Sequence, residues 1–305
     1  MTEEAKPFLQ WVGGKNRLLR DLSIRLPQQF IDGEPTIYIE PFVGGGSMLF
    51  YMLSKYSNIV SVKINDINER LTKTYTVVRD TPDKLLSAID KLRIRWHSLP
   101  VKQRFDMYNE VKDLFNTESM DDVTLAARFW FLNRTCFNGL YRENKEGKFN
   151  VSVRHGHDFI LERENLMVCS RHLKRVSISM GDYRDCLTDI TPNTLVYLDP
   201  PYRPISATSK FNSYSSEGFG DKEQLELKKM ADKINEAGGR FMLSNSDCPD
   251  GFFDRLYSDY VIDKVSIQRC ITCLSTKNFV QEIVVRNYRG ALYDRMTKYE
   301  QTSLF

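Results

Sequence analysis

The stretch from Thr36 to Asp66, TIYIEPFVGGGSMLFYMLSKYSNIVSVKIND, limits the fold of this chain more than any other. TIYIE, Thr36 to Glu40, reads as a short strand rich in β-branched and aromatic residues. PFVGGGS is a glycine loop. SMLFYMLSKY reads as a helix with Ser47 as its N-cap, and NIVSVKINDIN as a second strand closing on Asp66. Strand, glycine turn, helix and strand form the βαβ unit of an open parallel sheet. Gly44 to Gly46 let the backbone turn tightly and approach a ligand closely. Asp66 follows about 20 residues later, where nucleotide-binding sheets place an acid that accepts from ribose hydroxyls. Three glycines alone would also make a plain tight turn; with Asp66 in place, adenosine binding is the expectation. Leu49 stands where a dinucleotide fingerprint would carry its third glycine, which argues against a nicotinamide or flavin enzyme.

A second constraint is TLVYLDPPY, Thr194 to Tyr202. Four apolar or aromatic residues predict a buried strand, and it ends on an acid, two prolines and a tyrosine. Ligands of open α/β sheets bind beyond the carboxyl ends of the strands, so this tip shares a crevice with the glycine loop. Asp199 offers a carboxylate acceptor. Pro200 offers a carbonyl held by a fixed φ. Tyr202 offers a ring on which a planar base can stack. Two acceptors and a stacking ring suit an exocyclic amine on a purine, with catalysis by positioning and electrostatics and no covalent enzyme intermediate. A proline-rich turn that merely caps a strand would explain Asp-Pro alone, but not the full set.

Around these elements the chain alternates between two textures. Leu18, Leu19, Leu22 and Leu26 predict an N-terminal helix, preceded by a Gly-Gly turn and ended by Pro27. From Pro82 to Phe131 the pattern is helical and charged, with SMDDVTLAARFWFLNRT as a capped amphipathic helix. FNGLYR and GKFNVSV flank a polar turn and predict a hairpin. Leu125 to Met180 carries about five more basic than acidic residues, more than the +3 of the whole chain, as a DNA-facing module would. The α/β pattern then resumes with strands VSISM, TLVYL, RFMLSNS, YVIDKVSI and VQEIVVRNY and a helix ending at Gly238. The expected organisation is one α/β sheet from residues 1–81 and 176–305, interrupted by a mostly helical insert at 82–175.

Composition bounds this reading loosely. The chain has 305 residues, 41% hydrophobic and 27% charged, enough for a substantial core. No apolar run reaches the roughly 18 residues of a membrane span, and MTEEAKPFLQ has no apolar signal region, so a cytoplasmic protein is expected. Six scattered cysteines predict structural thiols, not a disulfide framework, and Cys270-x-x-Cys273 lacks the second pair of a zinc site. His155 and His157, in a basic loop, read as solvated or near phosphate. No metal is expected.

At these residues the sequence resembles the DNA adenine N6-methyltransferases, in particular the Dam-type group, over nearly its whole length. FLQWVGGK is similar to the N-terminal cofactor motif, EPFVGGGS to the glycine motif, IND to the acid motif, NRTCFNGLYR and GKFNV to the DNA-reading hairpin, GDY to the motif near the cofactor adenine, LDPPY to the catalytic motif and MLSNSD to a late strand. The resemblance implies S-adenosylmethionine as methyl donor, a Rossmann-like seven-stranded sheet and an inserted target-recognition module acting on double-stranded DNA. It implies cofactor contacts from Trp11, Lys15, Glu40, Phe42, Gly44, Gly46 and Asp66. Asp182 and Tyr183 would lie near the cofactor adenine. Asp199 would bridge cofactor and target amine beside Pro200, and Tyr202 would stack on a flipped adenine. Arg134, Asn138 and Arg142 would touch DNA.

Two positions depart from the Dam-type pattern. Gln10 stands where a guanine-reading lysine is usual, and Ser152 where proline is usual. Both bear on sequence reading, so GATC is only the leading candidate for the target. Cytosine N4 methylation is the sibling chemistry, and Asp199 favours adenine by resemblance. A DNA-binding protein that has lost catalysis would be damaged at Asp199, Tyr202 or Gly44 to Gly46, and the sequence shows no such damage. A monomer is expected. The sequence leaves open the host, bacterial or phage, and whether a cognate restriction endonuclease accompanies the chain.

Overall fold

Strand β1 (Thr36–Glu40) lies inside the sheet, with Tyr38 and Ile39 fully enclosed. It pairs in parallel with β2 (Ile59–Asp66) on one side and with β4 (Thr194–Leu198) on the other. β3 (Val176–Met180) extends the β2 edge and β5 (Arg240–Ser246) the β4 edge, both in parallel. β7 (Lys277–Arg286) lies antiparallel to β5, and β6 (Val261–Cys270) lies antiparallel outside it. The order is β3-β2-β1-β4-β5-β7-β6, a seven-stranded doubly wound sheet. Strand order reverses between β1 and β4, and a crevice opens beyond their carboxyl ends at such a switch point. The coordinates, a computed structural model, describe residues 3–11, 15, 18–154, 158–203, 219–270, 277–289 and 292–302. The Gly13-Gly14 turn, His155, His157 and Cys273 lie outside those residues.

The N-terminal leucines form less helix than their spacing predicts. Leu18, Leu22 and Leu26 are all buried, yet α1 runs only over Leu19–Ser23. Pro27 then opens α2 (Gln28–Ile31) as its N-cap, where its missing N–H costs nothing. α3 (Ser47–Lys55) follows the glycine loop, and α4 (Glu69–Asp80) follows β2, capped by the Asn68 side chain on the Leu71 N–H at 3.0 Å.

The segment after α4 is helical, as expected. α5 (Pro82–Ser98) has proline in its first turn, α6 (Val101–Thr117) follows, and α7 (Asp122–Thr135) is capped by Asp121. α7 departs from the amphipathic expectation. Ala126, Ala127, Phe129, Trp130, Phe131 and Leu132 are all buried, because α4, α5 and α6 pack around it. α8 (Arg163–Leu173) returns the chain to β3 and packs on α3, α4 and α5. Phe8 lies between the two regions, 4.9 Å from the Tyr75 ring and stacked on Trp130 at 5.5 Å. Each such side chain, fully buried, contributes roughly 1.5–3 kcal/mol. α9 (Asp221–Glu236) covers β5, followed by Gly238 at φ +79°, and α10 (Phe252–Leu256) and α11 (Leu292–Thr302) complete the chain.

Cys136, Cys169, Cys186 and Cys248 are buried free thiols. Among the described residues no group of acids, cysteines and histidines is arranged to hold a metal ion. Among them, too, no helix is long and apolar enough to cross a membrane.

Candidate active site and DNA face

The glycine loop is shaped as much by its own neighbours as by any ligand. Gly44 and Gly46 have φ of +48° and +73°. A Cβ on Gly45 would lie 2.7 Å from Trp11 Cβ, and one on Gly44 would lie 3.0 Å from the Trp11 ring. Trp11 therefore lies directly on the loop, and it also stacks on Tyr141 at 5.5 Å and meets Phe129 edge-on at 6.4 Å. A Cβ on Gly46 would lie 2.5 Å from the Tyr75 hydroxyl, which donates to the Gly44 carbonyl at 3.0 Å. Gly46, not Ser47, takes the N-cap position of α3, because only glycine accepts that left-handed conformation against Tyr75.

Asp66 braces this loop from β2. One carboxylate oxygen accepts the Gly44 N–H at 3.0 Å, the other the Asn68 N–H at 3.0 Å. Burial raises its pKa, and those amides act in the opposite direction. Ile67, the next residue, is 74% exposed, an apolar surface beside the acid that the sequence did not single out. Beyond the ends of β1 and β3, Phe42 packs on Tyr183 at 5.0 Å and on Phe219 at 6.0 Å. Phe219 was also not singled out, since nothing in its local sequence marks it. Asp182 accepts from the Arg184 guanidinium at 2.7 and 2.6 Å and from its amide at 2.9 Å, which caps the turn carrying Tyr183. The Arg184 hydrogen bonds hold Asp182 below the usual carboxylate range.

At the tip of β4 the structure gathers Asp199 and Tyr202 with Lys15. Lys15 Nζ lies 2.8 Å from Asp199 Oδ1 and 2.5 Å from the Tyr202 hydroxyl, and only 4% of its side chain is exposed. Glu282, on β7, is the member the sequence missed. Its carboxylate accepts from the Tyr202 hydroxyl at 2.9 Å and lies 3.8 Å from Lys15 Nζ. Burial works against the Lys15 charge, but Asp199, Tyr202 and Glu282 around it hold the ammonium above its usual range. Asp199 also moves up, although an ion pair alone would move it down. Burial outweighs Lys15, and the like charge of Glu282 adds to burial. Asp199 keeps 20% of its side chain exposed. Ser244 steadies it from β5, donating to Oδ1 at 3.2 Å, and lies 2.8 Å from the Tyr197 hydroxyl. Glu40, at the end of β1, is buried and accepts from the Tyr38 hydroxyl at 2.8 Å; burial holds its carboxyl well above the usual range.

The predicted hairpin is present in reduced form. Bridges Cys136–Val153 and Glu143–Phe149 join its arms, and the Phe137 N–H donates to the Ser152 carbonyl at 2.8 Å. Phe149, Val151 and Val153 are buried while Asn150, Ser152 and Arg154 are exposed, the period of two that gives a strand one outward face. Phe137 to Gly139 form a tight turn with Asn138 at φ +55° and Phe137 52% exposed. Arg142 is exposed and its Nε donates to Asn150 Oδ1 at 2.8 Å. Gln10 joins this face. Asn133 accepts the Gln10 N–H at 2.9 Å and donates to its carbonyl at 2.7 Å, and a Cβ on Gly139 would lie 2.2 Å from the Gln10 side-chain oxygen. Arg134 is placed differently from the other hairpin residues. Its side chain is 15% exposed, donates to the Phe8 carbonyl at 3.0 Å and lies over the Trp130 ring at 5.7 Å. A cavity of about 620 Å³ adjoins it, lined by Gln10, Trp11, Ser47, Tyr51, Lys55 and Arg134 rather than by Asp199 or Tyr202.

Comparison with known proteins shows the family of this chain. The family model described as D12 class N6 adenine-specific DNA methyltransferase matches residues 11–271. The chain is 41% identical over 290 residues to a Type II methyltransferase of Methanocaldococcus jannaschii, covering 93% of this chain and 100% of that one. It is 32% identical over 287 residues to a Type II methyltransferase of Lactococcus lactis subsp. cremoris, covering 93% and 95%. It is 31% identical over 243 residues to the DNA adenine methylase of Escherichia coli (strain K12), covering 79% and 81%. The chain belongs to the D12 class N6 adenine-specific DNA methyltransferases.

Proposed function

We propose that the chain uses S-adenosylmethionine to methylate N6 of an adenine flipped out of a short duplex site. The single observation that carries this reading is the Lys15–Asp199–Tyr202–Glu282 cluster at the switch point, next to the glycine loop. The residues present fit the donor. Trp11 packs on the Gly44–Gly46 loop, which leaves no room for side chains there, Asp66 can accept from hydroxyls, and Phe42 and Tyr183 offer an apolar, aromatic place for an adenine. Lys15, Glu40, Asp182 and Asp199 complete the expected contacts. When bound, this donor supplies an electrophilic methyl group on a sulfonium.

The protein's part is to hold the nucleophile. Inside a duplex the adenine amine is committed to pairing, so the base must leave the stack. Tyr202 stacks on it. Asp199 and the Pro200 carbonyl accept its two hydrogens, which fixes the nitrogen and aims its lone pair. Burial around Asp199 makes each of those hydrogen bonds stronger than it would be in water.

Residues 82–175 act as the target-recognition module, and its hairpin with Gln10 faces double-stranded DNA. Asn138, Arg142 and Ser152 are outward there, with Phe137 as an exposed stacking ring. Arg134 supports the N-terminal segment and reaches DNA only at the margin of that face. GATC is the leading candidate site, with Gln10 and Ser152 as the positions that would alter it. The Type II names of two relatives support a search for a cognate endonuclease. We place the enzyme as a monomer in the cytoplasm, on nucleoid DNA, bacterial or phage-encoded.

The test is modification mapping of DNA from cells expressing the chain, by sequencing that reports adenine and cytosine methylation together. N6-methyladenine in one short motif, absent when Asp199→Ala is expressed, is the expected result. N4-methylcytosine, or adenine marks that survive Asp199→Ala, overturns the reading.

A further inference from the structure

Glu282 lies in the sheet, at a β7 position paired with Ser246 on β5 and Val265 on β6, and it is 4% exposed. A carboxylate is expensive to bury there, and two of its contacts lead to the methyl-transfer site. The Tyr202 hydroxyl donates to it at 2.9 Å, and Lys15 Nζ lies 3.8 Å away. Lys15 also lies 4.5 Å from the centre of the Tyr202 ring. The same ammonium is closer to Asp199, at 2.8 Å, on the carboxylate oxygen that Ser244 also contacts. As it stands, Lys15 competes for the acceptor that the target amine needs.

We propose that Glu282 is a positioning residue for methyl transfer, anchoring the Tyr202 phenol and offering Lys15 a second carboxylate when the target amine takes its place on Asp199. This rests on the reading of Asp199 and Tyr202 given above. Three consequences follow from the geometry. The Tyr202 ring is fixed from its hydroxyl end, so its face is presented at a set angle to an incoming base. Lys15 closes the 3.8 Å gap to Glu282 without leaving the crevice or losing its charge partner. Asp199 is then free to accept from the amine in the reactive complex.

The experiment measures single-turnover methylation of a short duplex carrying one mapped site, at saturating methyl donor, alongside duplex affinity and melting temperature. Glu282→Gln keeps the shape and an acceptor for the phenol but removes the charge that would receive Lys15. The expected result is a rate lowered about tenfold or more with duplex affinity changed less than about threefold, the pattern of an interaction used in the reactive complex and not in binding. Tyr202→Phe cuts the same link from the other side while keeping the ring. It should lower the rate as well, and Glu282→Gln should cost at least about threefold less in that background than alone, because the two act as a unit. A wild-type rate in Glu282→Gln, or equal losses from it in both backgrounds, overturns the proposal. If Glu282→Gln melts early, a wild-type rate in Tyr202→Phe overturns it instead. Asp199→Asn separates the two levels: if it turns over normally the catalytic reading itself fails, and if it is inactive while Glu282→Gln is normal only the role of Glu282 fails.

Discussion

β7 carries two buried charges four residues apart, and they are held in opposite ways. Arg286, with 0% of its side chain exposed, uses its whole fork: Nε and Nη2 donate to Asp263 at 3.1 and 3.0 Å, and Nη1 and Nη2 to Asp294 at 3.0 and 2.6 Å. Arg25 donates to the same Asp263 oxygen at 3.1 Å, which ties the segment after α1 to β6, β7 and α11. At Glu282 the cation is Lys15, a compact charge shared between Asp199, Tyr202 and Glu282 at 2.8, 2.5 and 3.8 Å. A planar guanidinium fixed by several directed bonds has one arrangement. An ammonium with three rotatable donors among three acceptors has several of similar energy. The first is how a chain pins its last helix to a sheet. The second suits an acceptor that changes partners, the role proposed for Asp199.

Exchanging the two kinds of cation should break each cluster in its own way. Lys15→Arg keeps the charge but places a rigid fork on Asp199, which can then occupy both carboxylate oxygens. Turnover should fall by about 100-fold or more, the size of losing one preorganised contact to the reacting group, while melting temperature stays near wild type. Steady-state methylation and a thermal melt on the same preparation check this. Near-normal turnover would mean that Asp199 is not the acceptor Lys15 has to release.

Arg286→Lys makes the converse exchange. Charge is kept, but most of the directed bonds to Asp263 and Asp294 are lost, and stability should drop by about 2 kcal/mol. Denaturant unfolding measures this, and methylation per folded molecule should be normal, since the hydrogen bonds of Arg286 run to Asp263, Asp294 and the Tyr288 carbonyl, not to the Asp199 cluster. If turnover per folded molecule falls as steeply as in Lys15→Arg, the two clusters are not functionally separate.

The fold and half of this contrast were legible in the sequence. The βαβ unit could be read because Gly44 to Gly46 interrupt two apolar strands at the spacing a parallel crossover needs, and Asp199 and Tyr202 because an acid and a tyrosine have no packing reason to end a buried strand. Glu282 could not. In VQEIVVRNY an acid reads as one outward residue of a half-exposed strand, and its burial is decided by Lys15 and Tyr202, which are far away in sequence. The all-round burial of α7 was hidden for a related reason: it comes from α4, α5 and α6, not from the periodicity of its own residues. Ser47 was misplaced as a cap because the Tyr75 hydroxyl, which forces glycine into that position, lies on the next helix.

The smallest expected effect lies outside both clusters, and it tests whether a charge at the proposed DNA face acts on selection instead of chemistry. Gln10 is clamped through its backbone by Asn133, and its side chain lies against Gly139, next to Asn138. Its backbone position is therefore set independently of its side chain, and Gln10→Lys should place an ammonium at the same point on the hairpin face. A lysine there donates to guanine acceptors in the major groove, where glutamine prefers the donor and acceptor pair of adenine. Discrimination at one base pair of the site should shift by about 1 kcal/mol, read as the ratio of kcat/KM between duplexes that differ at that pair. An unchanged ratio would remove Gln10 from the reading surface and leave recognition to the turn at Phe137 to Gly139 and the outward residues Arg142 and Ser152. A changed ratio with an unchanged Lys15→Arg phenotype would show that reading and chemistry rest on separate groups, even though Gln10 and Lys15 lie on the same N-terminal segment.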